Sequence, residues 1–143
     1  MFSKTCTYAI KIMVYLALRK EETNNFAGVK EVSEAIGSPK AFTAKILQQL
    51  SKADLLDSIR GPNGGFSLFN DSRVSLADIV RAIDGNQLIE GCVLGFKECS
   101  DRRPCPAHFR FKSVRDYLND ALLTTDIEEM KQIIQNGNGF IKY

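Results

Sequence analysis

A run of turn-forming residues near the middle of the chain restricts the folds this sequence can adopt more than any other feature. Gly61, Pro62, Asn63, Gly64 and Gly65 stand between two short segments of alternating polar and apolar side chains. Because glycine and asparagine accept the backbone conformations of a tight reversal, this pattern predicts a β-hairpin. Elsewhere the apolar residues recur every three or four positions, which predicts helices. The sequence therefore predicts a mainly α fold with a small β-hairpin.

The segments before the hairpin have the pattern of a helix-turn-helix. Apolar spacing predicts three helices here, over about residues 3–19, 29–36 and 38–52. Gly37 is expected to end the second helix in a left-handed conformation. Ser38 is expected to cap free backbone amides of the third helix, with Pro39 at its first helical position. With the hairpin as a wing, these helices predict a winged helix-turn-helix domain over residues 1–85.

Three more helices are predicted after the hairpin. Ser75 and Asp78 have the capping pattern that opens the first of them, and Gly85 closes it. The second covers about residues 107–123 and is strongly amphipathic, while Thr125 and Glu128 form a capping box for a short last helix. In so small a chain, we expect the long helix to pair with a second copy, so residues 109–143 are predicted to form a dimerisation helix and C-terminal tail. The alternative is a helix that completes the core of one chain.

The segment over residues 86–108 is predicted to be a cysteine-rich binding loop. It contains three of the four cysteines and the only histidine, which are Cys92, Cys99, Cys105 and His108. The segment carries too much charge for a core strand, and three cysteines cannot all pair within one chain. Thiols and an imidazole grouped in this way predict a site for a metal ion or an iron-sulfur cluster. Inert buried thiols, or two disulfide partners with one left over, are the alternative.

The distribution of charge permits DNA binding without demanding it. The net charge is only +2, but residues 1–66 contain nine basic and six acidic side chains. The DNA contacts are predicted at the start of the first helix, on the third helix and on the wing, at Lys4, Thr5, Ser38, Lys40, Thr43, Lys45, Arg60, Gly61 and Asn63. Thr43 and Lys45 are the predicted base readers, whereas Lys4 is predicted to clamp a phosphate.

Several classes of protein are disfavoured by the same sequence. No stretch approaches the length of a membrane span, and Lys4 and Lys11 interrupt the apolar run that would otherwise resemble a signal peptide. We therefore expect a cytoplasmic protein without a membrane partner, in a reducing compartment where grouped cysteines more often bind metals than form disulfides. An enzyme is not predicted, because the one histidine is already assigned and no nucleophile and base pair is visible.

Four motifs resemble those of the Rrf-type family of bacterial winged-helix regulators, which has IscR-like and NsrR-like branches. They are YAIKIMVYLA, LSKADLL, RGPNGGF and SLADIVRAIDG, and the similarity covers almost the whole chain. The resemblance implies that Cys92, Cys99 and Cys105 are cluster thiolates and that His108 matches the histidine of the IscR-like branch. In the NsrR-like branch a carboxylate of the first helix fills the fourth position, where this sequence has Thr7. The resemblance therefore favours a 2Fe-2S cluster over 4Fe-4S.

These observations lead to one leading hypothesis and three alternatives. The leading one is a homodimeric, double-stranded-DNA-binding transcriptional regulator whose operator affinity is controlled by an iron-sulfur cluster that senses iron, redox state or nitric oxide. A Cys3His zinc site in a winged-helix regulator is the first alternative, although the close cysteine pair usual in structural zinc sites is missing. A regulator without metal is the second. A small iron-sulfur electron carrier is the third, and it leaves the helix-turn-helix unexplained.

Overall fold

The computed structural model, which describes residues 1–23, 26–71 and 73–143, is mostly helical with one two-stranded antiparallel sheet. Its elements in chain order are α1 (Lys4–Glu22), α2 (Val29–Ala35), α3 (Lys40–Lys52), β1 (Asp57–Ile59), β2 (Gly65–Ser67), α4 (Leu76–Asp84), α5 (Gln87–Glu90), α6 (His108–Thr124) and α7 (Ile127–Gln135). The predicted mainly α fold with a small β-hairpin is confirmed.

The helix α1 lies at the centre of the molecule and packs against α2, α3, α4 and α7. Its inward side chains, including Ile12, Met13 and Leu16, are buried in the main hydrophobic core. The hydroxyl of Ser3 caps the helix by accepting a hydrogen bond from the Cys6 amide at 3.0 Å. The Ser3 amide in turn donates to the Asp84 carboxylate at 2.9 Å, which joins the start of α1 to the end of α4.

The turn between α2 and α3 is formed largely as predicted, but the start of α3 is different. Gly37 has a φ of +62°, the left-handed conformation expected after α2. Pro39, not Ser38, occupies the N-cap position, and no side chain caps the helix. The Ser38 hydroxyl pairs with the Thr43 hydroxyl instead of a free amide. The capping role predicted for Ser38 is therefore wrong, because this residue precedes the cap and its hydroxyl is already engaged.

The wing is held in place by the segment that precedes α2. Ser58 pairs with Phe66 in the hairpin, and Phe66 also exchanges two backbone hydrogen bonds with Ala27, each 2.9 Å long. Gly65 has a φ of +151°, and a Cβ there would overlap the backbone of Ala27. Only glycine fits such a close approach, so this residue is required for the wing to dock.

After the wing, one predicted cap is confirmed and one is wrong. Ser75 and Asp78 form the expected capping box of α4. At α7 the cap is Asp126, whose carboxylate accepts from the Glu129 amide at 2.7 Å, and not Thr125. Thr125 instead lies beside the start of α4, where its carbonyl accepts a hydrogen bond from the Leu76 amide. The cap therefore falls one residue later than the sequence pattern indicates.

The long helix α6 packs on α4 and α5. Its buried residues are His108 and Leu122. Five large apolar side chains of α6 are exposed, namely Phe109, Phe111, Val114, Tyr117 and Leu123. Phe111, Val114 and Tyr117 recur every three residues along one side of the helix, whereas Phe109 and Leu123 point to other sides. We call these three residues the apolar face of α6. The amphipathic character predicted for the helix is therefore present, but most of its apolar side chains are not covered by the described part of the chain.

Candidate metal centre and nucleic-acid interface

Three cysteine side chains converge between α5 and α6. The sulfur atoms of Cys92, Cys99 and Cys105 all lie within 4.8 Å of one another, and the Cys92 and Cys105 sulfurs are 3.6 Å apart. None of the three is in a disulfide. Cys105 is buried and the other two are half-buried, so the group is partly shielded from water. We call these three residues the thiol group. Such a set of close thiols has the donor chemistry of a soft metal or cluster site.

His108, the first residue of α6, lies against this group. Its side chain is 5% exposed, and its Nδ1 atom is 2.9 Å from the Cys99 sulfur. Its Nε2 atom is 2.8 Å from a carboxylate oxygen of Asp101, whose second oxygen is 2.5 Å from the Lys112 ammonium. One imidazole nitrogen thus faces the thiol group, while the other faces a carboxylate. This is the orientation common among histidines that bind metals.

The thiols differ in how readily they ionise. Partial burial disfavours the Cys92 thiolate, but the backbone amides of Phe96 and Leu94 and the neighbouring thiols outweigh this effect and lower its pKa to about 7. Burial, together with the neighbouring sulfurs of Cys92 and Cys99, raises the pKa of Cys105. The thiolate is the form of cysteine that binds metals, so the lowered pKa of Cys92 favours the form that a metal site requires.

The loop that carries the thiol group is attached to α6 and α5. The Arg115 guanidinium on α6 donates to the carbonyl oxygen of Gly91, the residue before Cys92. A Cβ at Gly91 would overlap the carbonyl oxygen of Gln87 on α5. The helix α5 and the side chains of Asp101, Lys112 and Arg115 were not predicted from the sequence, since spacing does not show which charged residues meet across a loop and a helix.

Cys6 and Thr7 lie on α1 and are not part of the thiol group. Cys6 is fully buried in a separate apolar cluster with residues of α4, α5 and α6. Burial and the nearby Asp84 carboxylate raise the pKa of its thiol to about 12, which makes it an inert core residue. Thr7 is exposed, and its hydroxyl donates to the Ser3 carbonyl within the first turn of its own helix.

Most residues predicted to contact DNA lie on the surface. Six of them are exposed, namely Lys4, Lys40, Lys45, Arg60, Gly61 and Asn63, while Thr5 and Ser38 are half-buried. Thr43 is the exception, because it is 0% exposed and its hydroxyl donates to the Pro39 carbonyl at 3.1 Å. The prediction that Thr43 faces outward is therefore wrong. It lies on the inner side of α3 with Ile46, Leu47 and Leu50.

The fold is that of a winged-helix protein of the DNA-binding class, because it combines a helix-turn-helix, a docked wing and exposed basic side chains. The thiol group lies outside these elements. Across residues 1–23, 26–71 and 73–143, no helix combines the length and the apolar character needed to cross a membrane. A family model described as "Iron-dependent Transcriptional regulator" matches residues 2–132. The chain belongs to this family, Rrf2, whose members are transcriptional regulators and not enzymes.

Relatives and solved structures agree with this assignment. An HTH-type transcriptional regulator of Aquifex aeolicus is 30% identical over 92% of both chains. IscR of Photorhabdus laumondii is 27% identical over 86% of this chain and 74% of its own length. Among solved structures, IscR of T. potens has a TM-score of 0.73 at 20% identity and covers all of this chain and 94% of its own. CymR, the global cysteine regulator of B. subtilis, has a TM-score of 0.71 at 22% identity, over 92% of this chain and 96% of its own.

Proposed function

We propose that this transcriptional regulator binds its operator as a homodimer and that an iron-sulfur cluster held by Cys92, Cys99, Cys105 and His108 controls its affinity for DNA. The observation that carries the proposal is the convergence of the three thiols within 4.8 Å, with the His108 imidazole 2.9 Å from one of them. The family description as iron-dependent and the relatives named IscR also support iron as the metal.

The donor set favours a 2Fe-2S cluster, with 4Fe-4S and zinc as the other candidates. Thiolates bind iron-sulfur clusters, and an imidazole in place of a thiolate raises the reduction potential of such a cluster. When bound, the cluster supplies a redox-active centre that oxidants, nitric oxide or iron shortage can remove. Thr7 has no carboxylate and is engaged within α1, which supports His108 as the fourth ligand. A Cys3His site also satisfies the coordination number of zinc.

The apolar face of α6 supports a homodimer. Val114 is 60% exposed and Tyr117 is 79% exposed, although their helix also contacts α4 and α5. Large apolar side chains exposed on one side of a helix suit an interface between two copies, and a two-fold pair would bury them and set the spacing of the two recognition helices. We keep the domain division of residues 1–85 for DNA binding, 86–108 for the cluster and 109–143 for dimerisation as part of this proposal.

The proposed DNA surface consists of the predicted residues without Thr43. Lys40 and Lys45 on α3 approach the major groove, Arg60, Gly61 and Asn63 form the wing tip, and Lys4, Thr5 and Ser38 contact the phosphate backbone. Lys45 is the remaining base reader, because a side chain buried like Thr43 cannot reach a base edge. A regulator bound to chromosomal DNA acts in the cytoplasm, where its thiols stay reduced.

Besides His108, two side chains of the proposed dimerisation helix contact the cluster loop. Arg115 holds the Gly91 carbonyl before Cys92, and Lys112 holds Asp101 between the second and third cysteines. A change in the loop therefore reaches α6 directly. Because α6 also packs on α4, the change alters how the two DNA-binding units are placed across the dimer.

The test is anaerobic purification followed by absorption spectroscopy, analysis of iron, sulfide and zinc, and operator titration before and after cluster removal. We expect a coloured protein with iron and sulfide, and an operator affinity that changes when they are removed. Cys92→Ala should abolish iron retention. Cys6→Ala, which removes the inert thiol, should leave iron retention unchanged. A colourless protein with one zinc per chain contradicts the proposal, as does equal operator affinity with and without the cluster.

A further inference from the structure

The only histidine of the chain is held between two partners of different chemistry. Its Nδ1 atom faces the Cys99 sulfur at 2.9 Å, and its Nε2 atom faces a carboxylate oxygen of Asp101 at 2.8 Å. A neutral imidazole carries a proton on one nitrogen and a lone pair on the other. An ionised carboxylate only accepts hydrogen bonds, so its contact with Nε2 favours a proton on that nitrogen. The lone pair is then left on Nδ1, toward the thiol group.

We propose that Asp101 is a positioning residue that fixes the His108 tautomer, with the Nδ1 lone pair directed at the cluster site. The inference rests on the proposed ligand role of His108 and adds the residue that prepares it. Carboxylates that accept from the second nitrogen of a metal-binding histidine fix both its tautomer and its ring orientation. Asp101 therefore acts on the cluster only through His108.

The position of Lys112 supports this role. It lies one turn after His108 on α6, so both side chains face the same side of the helix, and its ammonium is 2.5 Å from the second Asp101 oxygen. The Asp101 carboxylate is thus held by Lys112 and His108, one turn apart on α6, and one of its oxygens stays beside the Nε2 atom of His108.

Another ion pair on the same loop gives a matched control. Glu98 and Arg103 lie 3.6 Å apart, and both side chains are more than 80% exposed. This pair has the features of an ordinary surface ion pair, which contributes little to stability. The histidine in the Asp101 pair is instead 5% exposed and adjoins the thiol group. The substitution Glu98→Ala therefore removes a carboxylate from the loop without touching the proposed contact.

The test is the nitrogen NMR spectrum of the full chain labelled at histidine, in reduced, metal-free form at about pH 8, where an ordinary imidazole is neutral. The single histidine gives one pair of nitrogen signals. We expect the proton on Nε2 in the unmodified chain and in Glu98→Ala. Asp101→Ala should lose this preference and populate both tautomers. A proton on Nδ1 in the unmodified chain overturns the inference, as does an Asp101→Ala spectrum unchanged from it.

A second measurement connects the tautomer to the cluster. In the iron-loaded protein, Asp101→Ala should shorten the lifetime of the visible absorption in air by about 10-fold, while Glu98→Ala leaves it unchanged. Equal lifetimes in the two variants overturn the inference and leave the proposed function intact. If the unmodified chain binds no iron, the proposed function fails, and the tautomer measurement still decides whether Asp101 positions His108.

Discussion

The helix α3 of the helix-turn-helix and the long helix α6 differ in how far their apolar side chains are buried. On α3, the inward residues Ile46, Leu47 and Leu50 are all 0% exposed. On α6, which is longer, Leu122 is the one large apolar side chain that is buried, while Tyr117 is 79% exposed. The apolar side chains of α3 are therefore covered within one chain, whereas most of the large apolar side chains of α6 are exposed.

This difference separates stability from assembly. Side chains of the α1–α4 core contribute to folding of a single chain, because their partners are within that chain. In the proposed homodimer, side chains on the apolar face of α6 contribute mainly when the second copy covers them, so we expect their effect to depend on protein concentration. The cysteine loop lies between these two regions and contacts α6 through His108, Lys112 and Arg115.

The largest expected effect comes from a pair of truncations of apolar side chains in the two regions. Leu50→Ala removes a fully buried side chain and should lower the free energy of unfolding by about 3 kcal/mol at any protein concentration. Val114→Ala removes a side chain that is 60% exposed on the apolar face of α6 and should cost less than about 0.5 kcal/mol in dilute protein. Urea unfolding at several protein concentrations measures both.

Self-association provides the second half of this comparison. Sedimentation should show a weaker dimer for Val114→Ala, and its stability relative to the unmodified chain should fall further as the protein concentration rises. If Val114→Ala instead costs as much as Leu50→Ala in the most dilute samples, its side chain packs within one chain and the contrast between the two regions is incorrect.

How much of the molecule the sequence predicts also differs between the two regions. Elements defined by local patterns were predicted well, since Gly37, Gly85 and the Ser75–Asp78 box end or begin helices through nearby backbone groups. The burial of Thr43 was not predicted. A threonine is polar enough to suggest the surface, but its hydroxyl is satisfied by the Pro39 carbonyl, so it lies inside without an unpaired group.

The candidate site was predicted as a set of residue types but not as an arrangement. Four unusual residues in a short segment indicate the thiol group and His108. The link from His108 to Asp101, seven residues away, and the hold of Arg115 on Gly91 depend on how the loop folds back on α6. The spacing of residues in the sequence does not predict such contacts, because Asp101 and Arg115 each have the features of an ordinary surface charge.

A smaller effect is expected at the wing, where Gly65 approaches the backbone of Ala27 closely beside the two hydrogen bonds between Phe66 and Ala27. Gly65→Ala places a Cβ against the backbone of Ala27 at a φ of +151°, and should cost about 2 kcal/mol of unfolding free energy. Gly28→Ser is the control, because a Cβ there meets nothing within 4 Å and serine is favoured at the start of α2. Comparable losses in the two variants would show that the Ala27 contact does not fix the wing.

The smallest effect is expected where α7 closes over the end of α1, and it depends on pH. The Lys131 ammonium, 2.6 Å from the Glu21 carboxylate, and the Gln135 amide hold the pKa of Glu21 below its usual range. A carboxyl whose pKa is lower in the folded state stabilises the fold above its unfolded pKa of about 4.3, and this contribution is lost as the pH falls through the folded value. Glu21→Gln should therefore be less stable than the unmodified chain at pH 7, with the difference shrinking in acid.

Glu22→Gln removes the same charge from the neighbouring exposed residue, so a similar pH-dependent loss in this control would assign the effect to net charge and not to the contact between α1 and α7.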